Sequence, residues 1–549
     1  MAQETAMTAA TRVDQGRLMA HLRALAGWVK LSGSAEERES LRHVEAAFRE
    51  IGFATRIEAE HGFISLPGEA WLIAGNQRIP AITHSHAPST PAGGLTATVA
   101  DPGRGAAGDL TGRIVLVDSI ATPAAADRYG RAGAAGVIHV SPHEHLHQMD
   151  ISPVWGSPDS RSLDRLPRAA TITISDADGA RLREMLAAGL TEVTLHATVE
   201  TGWRDIPTLI AEARAPARPG FSPDHYVMVT GHHDTWFEGV MDNGTAQAGM
   251  LELARVLLAG RDQWKRGLRF YVWSGHSHGR YAGSASYVDR NWHELETNCI
   301  ANLNIDSIGA QGASVLANVA SPAELQGVAA RAVRAVTGQE LIGARQQRNC
   351  DMSFWGVGIP SMFGLVSELP AEDPPWGPPC GYWWHTEHDT LDKIDPALLA
   401  RDTQICQHAL EELLHADLPP LRFDALMAEL RARLAGIARA LPAALDLRPA
   451  LALAETVETG VARLFEADKA EGLDTVLLPL ARILVPLSYT YGDRFTPDPA
   501  LPLPYWPLLQ ALTVVASDPG AAQPVRIAAR RDLNRLEDAL RRCVAILTA

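Results

Sequence analysis

Apolar positions recur at helical spacing near the start of the chain, through Leu18, Leu22, Leu25 and Val29 and again through Leu41, Val44 and Phe48, which predicts helices within residues 14–52. The segment 32–36 (SGSAE) lies between them and carries a capping signal. From 54 to about 75 the pattern becomes strand-like (ATRIEAE, GFISLP), and a Pro/Gly/Ala-rich stretch at 88–108 marks a boundary. Beyond it, short apolar strands alternate with small-residue helices: GRIVLVDSI, AAADRYGRAGAAG, VIHVS, TITIS and DADGARLREMLAAG. That rhythm describes a small α/β module, roughly 95–200, inserted in a larger domain.

From about 205 to 420 stronger apolar runs follow: HYVMVTG, GLRFYVWSG, CIANLNID, ASVLANV and SMFGLVS. Parallel strands covered on both faces read as such runs, so the predicted fold class is α/β, with a doubly wound, mostly parallel sheet. After Pro420 the chain turns to Ala/Leu/Arg-rich helices interrupted by a Pro-rich stretch at 495–507. The expected domains are an α/β catalytic domain from 1–90 and 205–420, an inserted domain at 91–204, and a helical domain at 421–549.

Composition narrows the class without changing this picture. The 549 residues are 46% apolar and 21% charged, as in an ordinary globular protein. The formal net charge of -15, with no run of Lys or Arg, disfavours a nucleic-acid partner, which needs a concentrated basic face. No stretch reaches the ~18 consecutive apolar residues of a membrane helix, and the N-terminus lacks a secretory pattern, so a cytoplasmic protein is expected. Five widely spaced cysteines with no CxxC pair indicate neither a disulfide framework nor a thiolate zinc site.

In an open α/β sheet, functional side chains collect where strands end. Four places of that kind carry metal-type ligands. His232 and Asp234 follow the first core strand, and Asp242 lies on the loop beyond; the Asp234 carboxylate is expected to hold the His232 ring, and Asp242 is able to bridge two ions. His276 and His278 follow the second strand, Asp306 ends the third, and His385 lies before the last core helix, with His388 and Asp389 beside it. Imidazoles mixed with carboxylates suit Zn²⁺ or a similar divalent transition ion. The approach to His385, EDPPWGPPCGYWW, brings Trp376, Trp383 and Trp384 as a stiff apolar wall, and Arg280 offers a bidentate partner for a substrate carboxylate.

The set HxD … DN … NxD … HT resembles metallopeptidase family 28, the co-catalytic zinc peptidases that include bacterial aminopeptidases, glutamate carboxypeptidase and the transferrin receptor. The 132–138 turn (AGAAGVI) with ISDADG resembles the family's inserted protease-associated domain, and LSYTYGDRFTPDPALPLP resembles its dimerisation domain. The resemblance implies that His232, Asp242 and Asp306 hold one zinc, that Asp242 bridges to a second held by His385, that Asp351 helps shape the site, and that the protein is a homodimer.

One departure stands out. Where the family has a Glu-Glu pair, the first glutamate a general base and the second a zinc ligand, this chain has His276-Ser277-His278, with one extra residue before Gly283-Ser284. Counting from Trp273 puts His276 at the base position and Ser277 at the ligand position; counting back from Gly283 puts Ser277 and His278 there. The expectation is His278 as ligand and His276 as base, with Asp234 assisting catalysis, Arg280 and Trp384 contacting substrate, and one or two ions bound. The expected activity is metal-dependent hydrolysis of an amide or peptide-type bond in a small or short peptide-like substrate, with a metal-dependent lyase or a non-catalytic binding homologue as alternatives.

Overall fold

The computed structural model describes residues 12–549 except 104–108, 317–318, 344, 346, 373–374, 443–444, 467–472 and 519. Two helices open the chain, α1 (Gln15–Leu25) and α2 (Ala35–Ile51). The capping signal between them is used: the Ser34 hydroxyl accepts from the Glu37 amide at the start of α2. Two long strands follow, β1 (Ala54–Ala74) and, much later in the chain, β7 (Glu192–Ala213), paired antiparallel along their length.

Between them lie β2 (Gln77–Thr83), β3 (Leu95–Ala100), β4 (Ile114–Asp118), α3 (Pro123–Arg131), β5 (Gly136–Val140), β6 (Ala170–Ile174) and α4 (Asp176–Ala187). Strands β3 to β6 are parallel neighbours, while β2 pairs antiparallel with β6 and β3 with β7. Residues 77–83 therefore sit in the same sheet region as the 91–204 segment.

The second half carries β8 (Tyr226–His232), α5 (Thr245–Leu258), β9 (Gly267–Trp273), α6 (Ala282–Asn298), β10 (Cys299–Ile305), α7 (Gln326–Thr337), β11 (Ser361–Gly364) and α8 (Pro396–His415). Its strands run β9-β8-β10-β11, all parallel, with β7 antiparallel at the β9 edge, and the fold is mostly parallel α/β as expected. Alternation along β8 explains why both faces are covered. Val227 and Val229 enter the core with α5 and α8, whereas Tyr226 and Met228 join Tyr287 and Val288 of α6 on the other side. The predicted strand ASVLANV is not one: Val315 makes a single bridge to Glu368, and 317–318 lie outside the described residues.

The tail forms α9 (Phe423–Ala438), α10 (Arg448–Glu466), α11 (Leu478–Tyr489), α12 (Gln510–Ser517) and α13 (Gln523–Thr548). Among the described residues no helix is long and apolar enough to cross a membrane. Arg482 of α11 fastens the tail to the α/β core, donating to the carbonyls of Glu296, Cys299 and Gly358. A second join is electrostatic, the Arg345–Glu429 pair at 2.9 Å, and it lies beside Glu324.

Glu324 is fully buried, and neither carboxylate oxygen has a hydrogen-bond partner among the described residues. Burial pushes its carboxyl up to about 7, Arg345 opposing and Glu429 assisting. A carboxyl raised by the fold costs nothing below its unfolded value near 4.5 and costs most above about 7. Glu324→Gln is expected to match the parent in guanidinium unfolding at pH 4.5 and to exceed it by roughly 3 kcal/mol at pH 8.

Candidate metal centre

The carboxyl ends of β8, β9 and β10 are adjacent because the strands are parallel neighbours, so residues far apart in sequence meet at one edge. Strand β8 ends on His232, and the loop beyond it returns with Asp242 before α5. That return depends on Gly239, at φ 53: a Cβ there would stand 2.4 Å from Thr235 and 2.5 Å from the Asp242 carbonyl. Asp389 fixes the Asp242 backbone, one carboxylate oxygen accepting from the Met241 amide at 2.7 Å and the other from the Asp242 amide at 2.9 Å. Asn243 ties the same loop to β10, donating to the Ile305 carbonyl and accepting from the Ser307 amide.

The result is a compact set. His232 Nε2 lies 3.0 Å from Asp242 Oδ1 and 3.6 Å from Asp306 Oδ1, while His385 Nε2 lies 2.9 Å from Asp242 Oδ2. Each oxygen of Asp242 thus faces a different imidazole. His276 joins them: ligand-type atoms of His232, His276 and Asp306 all lie within 4.8 Å of one another.

The set fits a cation on its own chemistry. His232 Nε2 and Asp242 Oδ1 are both buried and, although 3.0 Å apart, neither has a hydrogen-bond partner among the described residues. Burial opposes a charge on His232, yet Asp306 and Asp242 outweigh it and hold the imidazole well above its usual range. The carboxylates therefore demand positive charge at that point, and a divalent ion ligated by nitrogen and oxygen meets the demand better than a proton.

Asp234 plays a different part from the expected one. Its backbone carbonyl, at 2.9 Å, takes the proton of His232 Nδ1; its carboxylate stands 3.9 Å away. The carboxylate instead accepts from the Ser277 amide (2.8 Å), the His276 amide (3.2 Å) and the Ser32 hydroxyl (2.6 Å), anchoring the turn after β9.

That turn decides between the two imidazoles. His276 stacks on His232, ring centroids 3.6 Å apart and planes at 11°, and its Nδ1 is 2.8 Å from Asp351 Oδ2. His278 goes the other way. It is fully buried beside Trp236, with Nδ1 2.9 Å from the Ser32 hydroxyl, and it is not among the converging groups. Ser32 holds the His278 ring through Nδ1, and its buried Nε2 has no hydrogen-bond partner among the described residues. The Gly283-Ser284 motif has two uses: a Cβ at 283 would stand 2.3 Å from the Ser274 carbonyl, and the Ser284 hydroxyl donates to Asp351 Oδ1.

The tryptophans are divided. Trp383 is buried, its Nε1 directed at Met241 Sδ; Trp384 stacks on His385 at 3.7 Å; Trp376 packs on His143 and His147 of the 91–204 segment. Arg280, at φ 48, lines a cavity of about 1110 Å³ with Tyr489, Leu501, Leu503 and Tyr505, its guanidinium over the Tyr281 ring. His233 is buried, and His388 packs on His145. Sequence reasoning missed Ser32 and Gln148. The SGSAE segment reads from sequence only as a cap, and Gln148 acts through its carbonyl, which no side-chain signal reveals.

Comparison with known proteins points the same way. Residues 211–410, which include His232, Asp242, His276, Asp306 and His385, match the sequence profile described as Peptidase family M28. An 87-residue stretch is 33% identical to a probable glutamate carboxypeptidase of Zea mays, covering 15% of this chain and 12% of that one, and a leucine aminopeptidase of Arthroderma otae is 26% identical over 36% of this chain and 37% of its own. The chain thus spans about an eighth of the first relative and a little over a third of the second. A zinc aminopeptidase from Bacillus subtilis shares the fold at TM-score 0.57 and 20% identity, over 74% of this chain and 96% of that one, and an aminopeptidase from Aneurinibacillus does so at 0.56 and 22%, over 73% and 94%. Across residues 211–410 this chain matches peptidase family M28, and its α/β core shares the fold of the zinc aminopeptidase from Bacillus subtilis.

Proposed function

We propose that the protein is a zinc-dependent hydrolase of an amide or peptide-type bond in a small substrate. The single observation that carries the reading is Asp242, whose two carboxylate oxygens face His232 and His385 while Asp306 closes the far side. His232, Asp242, Asp306 and His385 would hold a zinc ion, which would supply Lewis acidity toward the scissile carbonyl and a bound water.

The chain's own residues supply the rest. The His276 ring stacks on that of His232 with planes at 11°, and its Nδ1 is engaged by Asp351. His276 is therefore read as the proton acceptor in place of the family's glutamate. Asp351 takes the proton of its Nδ1, which fixes the tautomer, leaves Nε2 free to accept, and stabilises the imidazolium that forms. Ser284 keeps Asp351 in place, and Asp234 keeps the turn that carries His276. Trp384, stacked on His385, shields that side from water, and Arg280 at its cavity receives an anionic group of the substrate.

Two outcomes test this. Treatment with a strong chelator should abolish release of p-nitroaniline from a panel of aminoacyl-p-nitroanilides, and added zinc should restore it; undiminished turnover by demonstrably metal-free protein would refute the reading. Substitution separates the roles of the histidines. His232→Ala should lose zinc on dialysis, as read by elemental analysis. His276→Ala should keep zinc and lose about 10²–10⁴ in kcat, the usual worth of a general base. His278→Ala should keep zinc as well; loss of the ion from either of these two would reassign that residue as a ligand.

A further inference from the structure

His385 holds its place under constraint. Its φ is 60, a left-handed conformation that a residue with a side chain keeps only when its surroundings impose it. The surroundings that impose it come from the segment 143–148, more than two hundred residues earlier in the chain. Three hydrogen bonds join the two. His147 Nδ1 donates to the Trp384 carbonyl at 2.6 Å, the Gln148 amide donates to the His385 carbonyl at 2.9 Å, and His385 Nδ1 donates to the Gln148 carbonyl at 2.7 Å. The last puts the His385 proton on Nδ1 and leaves the Nε2 lone pair facing Asp242.

Two of these bonds on the 143–148 side use backbone atoms; the third uses the side chain of His147. What sets that ring is a chain of defined tautomers. The His145 amide donates to His143 Nδ1 at 3.2 Å, so the proton of a neutral His143 is on Nε2. His143 Nε2 lies 3.2 Å from His147 Nε2 and donates to it, so the proton of His147 is on Nδ1, where Trp384 needs it. A cation between the two Nε2 atoms would require a proton on His143 Nδ1, directed at the N–H of His145, so the pair is not itself a metal site. Trp376 covers both rings, with centroids at 4.9 and 4.8 Å.

We propose that His147, steered by His143, is a positioning residue that aims His385 at Asp242 and thereby sets the affinity of the centre for its ion. The 91–204 segment is then part of the metal centre's support.

The proposal rests on His385 being a ligand, so the experiment includes that control. Zinc affinity of the full-length protein is measured by competition with a chromophoric chelator. His385→Ala should weaken zinc at least tenfold, and no change there would remove the ligand reading itself. Given that loss, His147→Leu should weaken zinc by about 10–100-fold, the range for removing a group that orients a ligand. His147→Asn, whose amide N–H replaces Nδ1–H, should stay within about threefold of the parent. His143→Phe should fall between, and it serves as the test should His147→Leu fail to fold. Wild-type affinity in His147→Leu, or in His143→Phe where it stands in, overturns the proposal; so does a His147→Asn protein that folds and binds zinc as weakly as His147→Leu.

Discussion

The centre depends on one buried carboxylate, that of Asp234. It is wholly inside the protein, and burial alone would favour its neutral form, but the surrounding imidazoles of His278, His232 and His276 hold it ionised, below the usual carboxylate range. An ionised group in such a place must be saturated with donors, and the donors available are the Ser32 hydroxyl and the amides of His276 and Ser277. Meeting that requirement brings the segment before α2 up to the end of β9. It also fixes the turn on which two histidines sit. Because the Asp234 backbone carbonyl holds the His232 ring, the same residue sets both the metal-facing imidazole and the one stacked on it.

Support of this kind recurs around the centre. Asp389 holds the backbone of Asp242 through two amides, Ser284 and His276 share Asp351, and Gln148 holds the ring of His385. In each case the group facing the metal position is flexible by itself and is fixed by a partner from another element. Such groups must be fixed before an ion arrives, since an imidazole free to rotate loses entropy on binding. The 91–204 segment, which shares the sheet with β1 and β7, participates by the same logic.

Much of this was legible in the residues. The parallel core could be read because strands covered on both faces are mostly apolar, and β8 and β10 are buried along their whole length. That His232, Asp306 and the residues after β9 are neighbours could be read because parallel strands end at a common edge. The run at 313–319 reads as a strand for the complementary reason: among its described residues it makes one bridge, so it has the composition of a strand without the pairing.

What the sequence determined by itself was the chemistry on offer: which residues end the strands, and that a glutamate pair is replaced by His276-Ser277-His278. It did not determine which histidine faces the ion, whether a carbonyl or a carboxylate holds His232, or that Gln148 holds His385. Those are questions of direction. A one-residue change of register in a turn reverses the side on which a ring lies, and the groups that settle it, Ser32, Asp351 and Gln148, stand 246, 75 and 237 residues away in the chain. Only packing the chain into one body brings such distant donors and acceptors to hydrogen-bonding distance, and only then does each imidazole have a single direction to point.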